Sequence, residues 1–213
     1  MRVLAIGDFH IPDRTFVVPP ELDASIMRIA NKQNFDLVAC TGDLTKADQL
    51  EPFLASWSRD YFVVQGNMDY DARNVKHFPR NIVFDTRNYI RGFDVLKFGL
   101  IHGHQVSPRG DLEGLAEIAK ELGVHVLISG HTHASSINLY QRASDGHQVL
   151  LINPGSATGA WSFVATLLPS FMVIDIEQSK QGLDVETMLV ELHDGKEGKI
   201  SDTHTFKDGA FIK

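Results

Sequence analysis

Short apolar runs alternate with amphipathic stretches through the first third of the chain. Arg2–Ile6, Leu37–Cys40 and residues 61–64 are apolar, and each leads within two residues into a glycine followed by a polar side chain. Between them the apolar positions recur with helical spacing: Ile26, Ile29 and Ala30 within 22–31, and Leu50, Phe53, Leu54 and Trp57 within Ala47–Trp57. Strand, helix, strand, helix, strand implies parallel strands joined by right-handed crossovers. In such a sheet, functional loops gather at the carboxyl ends of the strands, where the glycine-polar pairs fall.

The second half changes rhythm. Residues 95–101, 124–129, 137–141, 149–152, 171–176 and 185–192 read as strands, with one clear helix over Leu112–Leu122. Ser144-Asp145-Gly146 marks a hairpin turn. An α/β fold with two sheets packed face to face and helices outside accommodates these elements. The polar tail, 194–213, is expected either to add an edge strand through Ile200, Thr203, Thr205 and Phe206 or to fray.

Composition narrows the function classes. A chain of 213 residues is most simply one domain, 1–213, with 43% hydrophobic and 22% charged residues. A net charge of −7 argues against binding a phosphate backbone and against direct docking on anionic membrane. The single cysteine, Cys40, sits in an apolar run, reads as a buried strand residue and fits a reducing compartment. The most apolar stretch, 160–176, is broken by Ser162, Thr166, Pro169 and Ser170, so no bilayer-spanning run of about 18 residues exists. The expected location is cytoplasmic, with any membrane association made through a protein.

The candidate chemistry lies in five motifs: Gly7-Asp8-Phe9-His10, Gly42-Asp43-Leu44, Gly66-Asn67-Met68-Asp69, His102-Gly103-His104 and Gly130-His131-Thr132-His133. A Gly-Asp pair alone is turn chemistry, and one Gly-His-Thr-His is ordinarily a surface loop. The ordered set is different. Residues at i and i+2 of an extended chain face one way, so Asp8 with His10, and His131 with His133, are expected to share a focus. Mixed carboxylate, amide and imidazole donors suit manganese, zinc or iron better than calcium. His77, His125, His147, His193 and His204 fall outside the motifs and read as ordinary surface or half-buried histidines.

These motifs resemble the binuclear-metal signature of the calcineurin-like metallophosphoesterases. The resemblance implies a four-layer α/β/β/α sandwich holding two divalent ions. Asp8, His10, Asp43 and His133 would hold one, and Asp43, Asn67, His102 and His131 the other. His104 is expected to support the ligands rather than bind. Met68 occupies the usual place of the histidine that protonates the leaving group, so no general acid is assigned. That role typically contributes about 10²–10⁴-fold, and methionine has no proton to give.

Ile152-Asn153-Pro154-Gly155-Ser156-Ala157-Thr158-Gly159-Ala160, with Leu168-Pro169-Ser170-Phe171 and Gly7-Asp8-Phe9-His10-Ile11-Pro12, narrows the likeness over residues 1–192. It resembles the vacuolar protein sorting 29 family, a subunit of the retromer cargo-sorting complex, with an extra segment at 13–20 and a longer region at 56–84. The resemblance implies a scaffold in endosome-to-Golgi and recycling transport, held peripherally on endosomes. Its metal-site face would dock on a helical-repeat subunit, vacuolar protein sorting 35, through Val106 and Pro108. Ser107 and Arg109 stand there in place of bulky apolar residues. An opposite apolar patch of Ile26, Met27, Val173 and Leu189 would take sorting nexins or GTPase regulators. The alternative is an active binuclear-metal phosphodiesterase of the bacterial type.

Overall fold

The structure is a computed structural model, in which residues 1–69, 78–92 and 94–212 are described; His77 falls outside them. Two sheets form the centre. The larger runs in the order β12-β11-β10-β9-β1-β2-β3 and the smaller in the order β4-β5-β6-β8-β7. The first comprises β1 (Arg2–Ile6), β2 (Leu37–Cys40), β3 (Tyr61–Val63), β9 (Ser170–Gln178), β10 (Leu183–His193), β11 (Lys196–Lys207) and β12 (Ala210–Ile212). The second comprises β4 (Asn81–Asp85), β5 (Lys97–Ile101), β6 (Val126–Ile128), β7 (Ser136–Gln141) and β8 (Gln148–Asn153). β1, β2 and β3 pair in parallel, as the alternating pattern implies.

β1 shows why its sequence is apolar throughout. Leu4 and Ile6 face a core shared with helices α1 (Pro20–Ala30) and α2 (Ala47–Trp57). Val3 and Ala5 face the second sheet, among Phe98, Leu100 and Ile152. A strand covered on both faces needs no polar alternation. The third core lies between the smaller sheet and α3 (Leu112–Leu122), through Leu115, Ala116 and Ala119. The layers are therefore helix, sheet, sheet, helix.

α3 begins where the Asp111 carboxylate accepts the Gly114 N–H at 2.8 Å, and it ends at Gly123, whose φ of 66° lies in the left-handed region. The tail is ordered into β11 and β12, with Phe206 and Phe211 packed into the inter-sheet core. β4 has no counterpart in the sequence reading.

The same core corrects the expected docking surfaces. Ile26, Val173 and Leu189 are buried side chains of the two sheet cores, so they cannot form a surface patch; of the four, only Met27 reaches solvent, at 37% exposure. Val106 is also buried, packed with Leu115 and Ala116 of α3, whereas Pro108 is exposed.

Candidate metal centre

Five loops converge beyond the carboxyl ends of β1, β2, β3, β5 and β6. Asp8, His10, Asp43, His102 and His133 are all buried there. His10 Nε2 lies 3.0 Å from His133 Nε2, 3.8 Å from Asp8 Oδ1 and 3.4 Å from Asp43 Oδ2. His133 Nε2 is 3.3 Å from Asp8 Oδ1, and His102 Nε2 is 3.4 Å from Asp43 Oδ2. Two groups of donors result: Asp8 with His10 and His133, and Asp8 with Asp43 and His102. Asn67 and His131 stand at the rim. Asn67 Oδ1 is 3.1 Å from His102 Nε2, and the His131 ring centroid is 5.1 Å from that of His102.

The way these residues come together differs from an extended i, i+2 pair. Asp8, His10, Asp43, His131 and His133 have φ values of 52°, 50°, 51°, 69° and 59°. The shared focus arises from left-handed turns, a conformation Asp and His tolerate better than most side chains. Glycines let the loops close. A Cβ on Gly130 would sit 2.4 Å from Asp8 Oδ2, and one on Gly66 would sit 2.0 Å from Asp43 Oδ1.

Supporting hydrogen bonds fix which atoms face inward. His102 Nδ1 donates to the Thr41 carbonyl at 2.8 Å, and His133 Nδ1 donates to the Ala160 carbonyl at 2.7 Å. A carbonyl can only accept, so each Nδ1 carries its proton and each Nε2 is turned to the site, the usual arrangement behind a ligating histidine. Burial lowers the pKa of His10 to about 4, outweighing Asp43 and Asp8. Burial, with His102 and Arg109, lowers His131 to about 4 as well. Burial pushes His102 down, but the Asp43 hydrogen bond and the charges of Asp8 and Asp43 carry it to about 9. For Asp43, burial pushes up and His102 more than offsets it, leaving about 2.

Two sets of supports were visible in the motifs without having a role assigned. The Asp69 carboxylate accepts the N–H groups of Asp43, Thr45 and Gly66, each at 2.8 Å, stapling the second motif to the third. In the Asn153-to-Ala160 segment, Ser156 Oγ donates to the Asp8 carbonyl at 2.7 Å and Thr158 Oγ1 donates to the Phe9 carbonyl at 2.9 Å. Asn153 Nδ2 donates to the Gly130 carbonyl at 3.0 Å. His104 is exposed, its ring centroid 5.4 Å from that of His102.

The donor set fits divalent metal. Asp8 Oδ1 is buried and accepts no hydrogen bond, although imidazole nitrogens and the second carboxylate surround it. A buried carboxylate oxygen without a donor is costly unless a cation meets it. Met68 does not supply a proton here. Its backbone N–H donates to Asp43 Oδ1 at 2.8 Å, which helps to fix that carboxylate.

Fold and donor set define a class. The family model of the calcineurin-like phosphoesterase superfamily domain matches residues 1–179, and the chain belongs to that superfamily. A probable metallophosphoesterase of Methanocaldococcus jannaschii is 35% identical over 158 residues, 74% of this chain and 69% of that protein. Within the class, the chain is similar to structures of Vps29. Wild-type Vps29 of Entamoeba histolytica complexed with zinc aligns with a TM-score of 0.75 at 32% identity, over 95% of this chain and 99% of that one. Vacuolar protein sorting 29 of Cryptosporidium parvum aligns with a TM-score of 0.75 at 26% identity, over 96% and 98%.

Proposed function

We propose that the protein is the metallophosphoesterase-fold subunit of a retromer complex, a scaffold in endosomal cargo sorting. The observation that carries this reading is an apolar ridge beside the candidate metal centre. Trp161, Phe163, Val164 and Leu167 project from one loop, Phe163 at 83% exposure, and the Trp161 and Phe163 rings meet at 5.0 Å. The extra segment adds Phe16 and Val17, also exposed, and is tied to the ridge by Arg14 Nη1 donating to the Trp161 carbonyl. A contiguous apolar projection of this kind marks a protein interface. The ridge follows directly on Ala160, whose carbonyl holds His133, which supports a docking surface beside the metal centre.

The partner is the helical-repeat subunit, vacuolar protein sorting 35, at the metal-site face. Pro108 is exposed and precedes Arg109, whose guanidinium lies over the Phe163 ring, while Val106 is buried in the core under α3. The protein reaches endosomes through that complex; among the described residues no helix is long and apolar enough to cross a membrane. A further partner on the opposite face, a sorting nexin or GTPase regulator, would meet Met27 without the three core residues.

Asp8, His10, Asp43, His102 and His133 would hold two ions of manganese, zinc or iron, with Asn67 and His131 completing the set from the rim. When bound, such ions supply a clamp for phosphoryl oxygens and an activated water. The chain itself adds aimed imidazoles, and Met68 brings no proton to the leaving-group position. The intact donor set favours a second reading, residual phosphodiesterase activity on esters with good leaving groups.

The test is titration calorimetry with the purified helical-repeat subunit of the same organism. Wild-type protein should bind stoichiometrically, and the Trp161→Asp/Phe163→Asp variant, with an unchanged melting curve, should not. Equal binding by that variant would overturn docking at this face.

A further inference from the structure

Two cavities lie at the ends of the ridge, and their lips carry opposite charge. One, of about 230 Å³, is lined by Leu112, Leu115, Leu151, Asn153 and Val164, with Arg109 at its mouth. The Arg109 guanidinium lies 6.0 Å from the Phe163 ring centroid and donates to the His131 carbonyl at 3.4 Å, so it is held against the ridge while remaining exposed. The other, of about 350 Å³, is lined by Pro19, Leu167, Leu168 and Leu192, with Glu21 and Asp194 at its lip. Both acidic residues are exposed. Val164 belongs to the first cavity and Leu167 to the second, so the ridge runs from one to the other.

We infer that this face is electrically polarised and accepts its partner in one orientation. The inference rests on the docking reading above and deepens it. Its occupant is a surface of the helical-repeat subunit with an apolar groove for the ridge, an apolar side chain entering the cavity between Leu112 and Leu151, a carboxylate opposite Arg109 and a lysine or arginine opposite Glu21 and Asp194. The apolar contact supplies area without direction; Arg14, held at the Trp161 carbonyl, adds a cation beside the ridge but lines neither cavity. Opposed charges at its ends supply direction: a reversed partner sets carboxylate against Glu21 and Asp194, and cation against Arg109. Like-charge juxtaposition of that kind is what excludes wrong registers at interfaces. The chain's overall negative charge gives Arg109 added weight, as a local cation on a molecule of net charge −7.

The experiment uses the same full-length proteins, by calorimetry at low and high salt. Arg109→Glu should weaken binding about tenfold or more, and Glu21→Gln/Asp194→Asn about threefold or more, each with a flatter salt dependence than wild type. Melting curves should match wild type, since all three side chains are exposed. Both charge variants binding within about twofold of wild type, while the Trp161→Asp/Phe163→Asp variant fails, would overturn the polarity and leave docking in place. Loss at only one end would also overturn it. Wild-type binding by the ridge variant would remove both readings together.

Discussion

The carboxylate of Asp69 holds the backbone N–H of Asp43 at 2.8 Å, and with it the position of the Asp43 carboxylate, which meets both His10 and His102 at 3.4 Å. The same side chain takes the N–H groups of Thr45 and Gly66. Asp69→Ala would leave three donors without their acceptor, a loss on the order of 3 kcal/mol. Metal affinity should fall about 10–100-fold, the usual cost of removing a support behind a ligand. Calorimetric titration of the metal-free protein with zinc or manganese measures it, and an affinity unchanged from wild type would exclude the role.

Ser156 is a second such support, from a distant part of the chain. Its hydroxyl donates to the Asp8 carbonyl and accepts the Ala160 N–H at 2.9 Å. Ser156→Ala should cost about 2 kcal/mol in urea unfolding, because both groups are buried and left unpaired. Thr158→Ala, at a half-buried position, should cost less.

Val106 offers a sharp contrast between a surface and a core residue. Packed under α3, it cannot accept a charge without breaking that core. Val106→Asp should lower stability by about 4 kcal/mol, read as a shifted melting curve before any binding is tested. A folded, stable Val106→Asp protein would contradict the burial.

Met68 separates metal chemistry from proton supply. Its structural bond to Asp43 uses the backbone, so Met68→His leaves that bond in place. On an alkyl phosphodiester with manganese present, the variant should be faster than wild type by about 10²-fold, with a smaller gain on a nitrophenyl diester. Equal rates on both would show that the missing acid is not what limits turnover.

The parts of the fold that sequence made legible share a physical cause. β1 and β2 lie between two covered faces, so their apolar runs announce them, and the ligand motifs follow at their ends. The same double burial misled about the surface. In β9 both Met172 and Val173 are buried, one toward the second sheet and one toward the helices, so no alternation distinguishes core from patch. β4, Asn81–Asp85, is an edge strand with exposed and half-buried positions, and its apolar run is only Ile82-Val83-Phe84. The donor residues were legible as a set, and Asp8 and His10 do share a focus, but through left-handed turns that spacing does not encode; His131 and His133 part, one toward His102 and the other toward His10.

Those turns have a consequence for the history and engineering of the molecule. A left-handed conformation costs a non-glycine residue about 1–2 kcal/mol, and Asp8, His10, Asp43, His131 and His133 all adopt it. Glycine would relieve the strain at each position and delete a donor in the same stroke. A search for thermostable variants would therefore be drawn to these five positions. It would return sturdier proteins that can no longer recognise a cation.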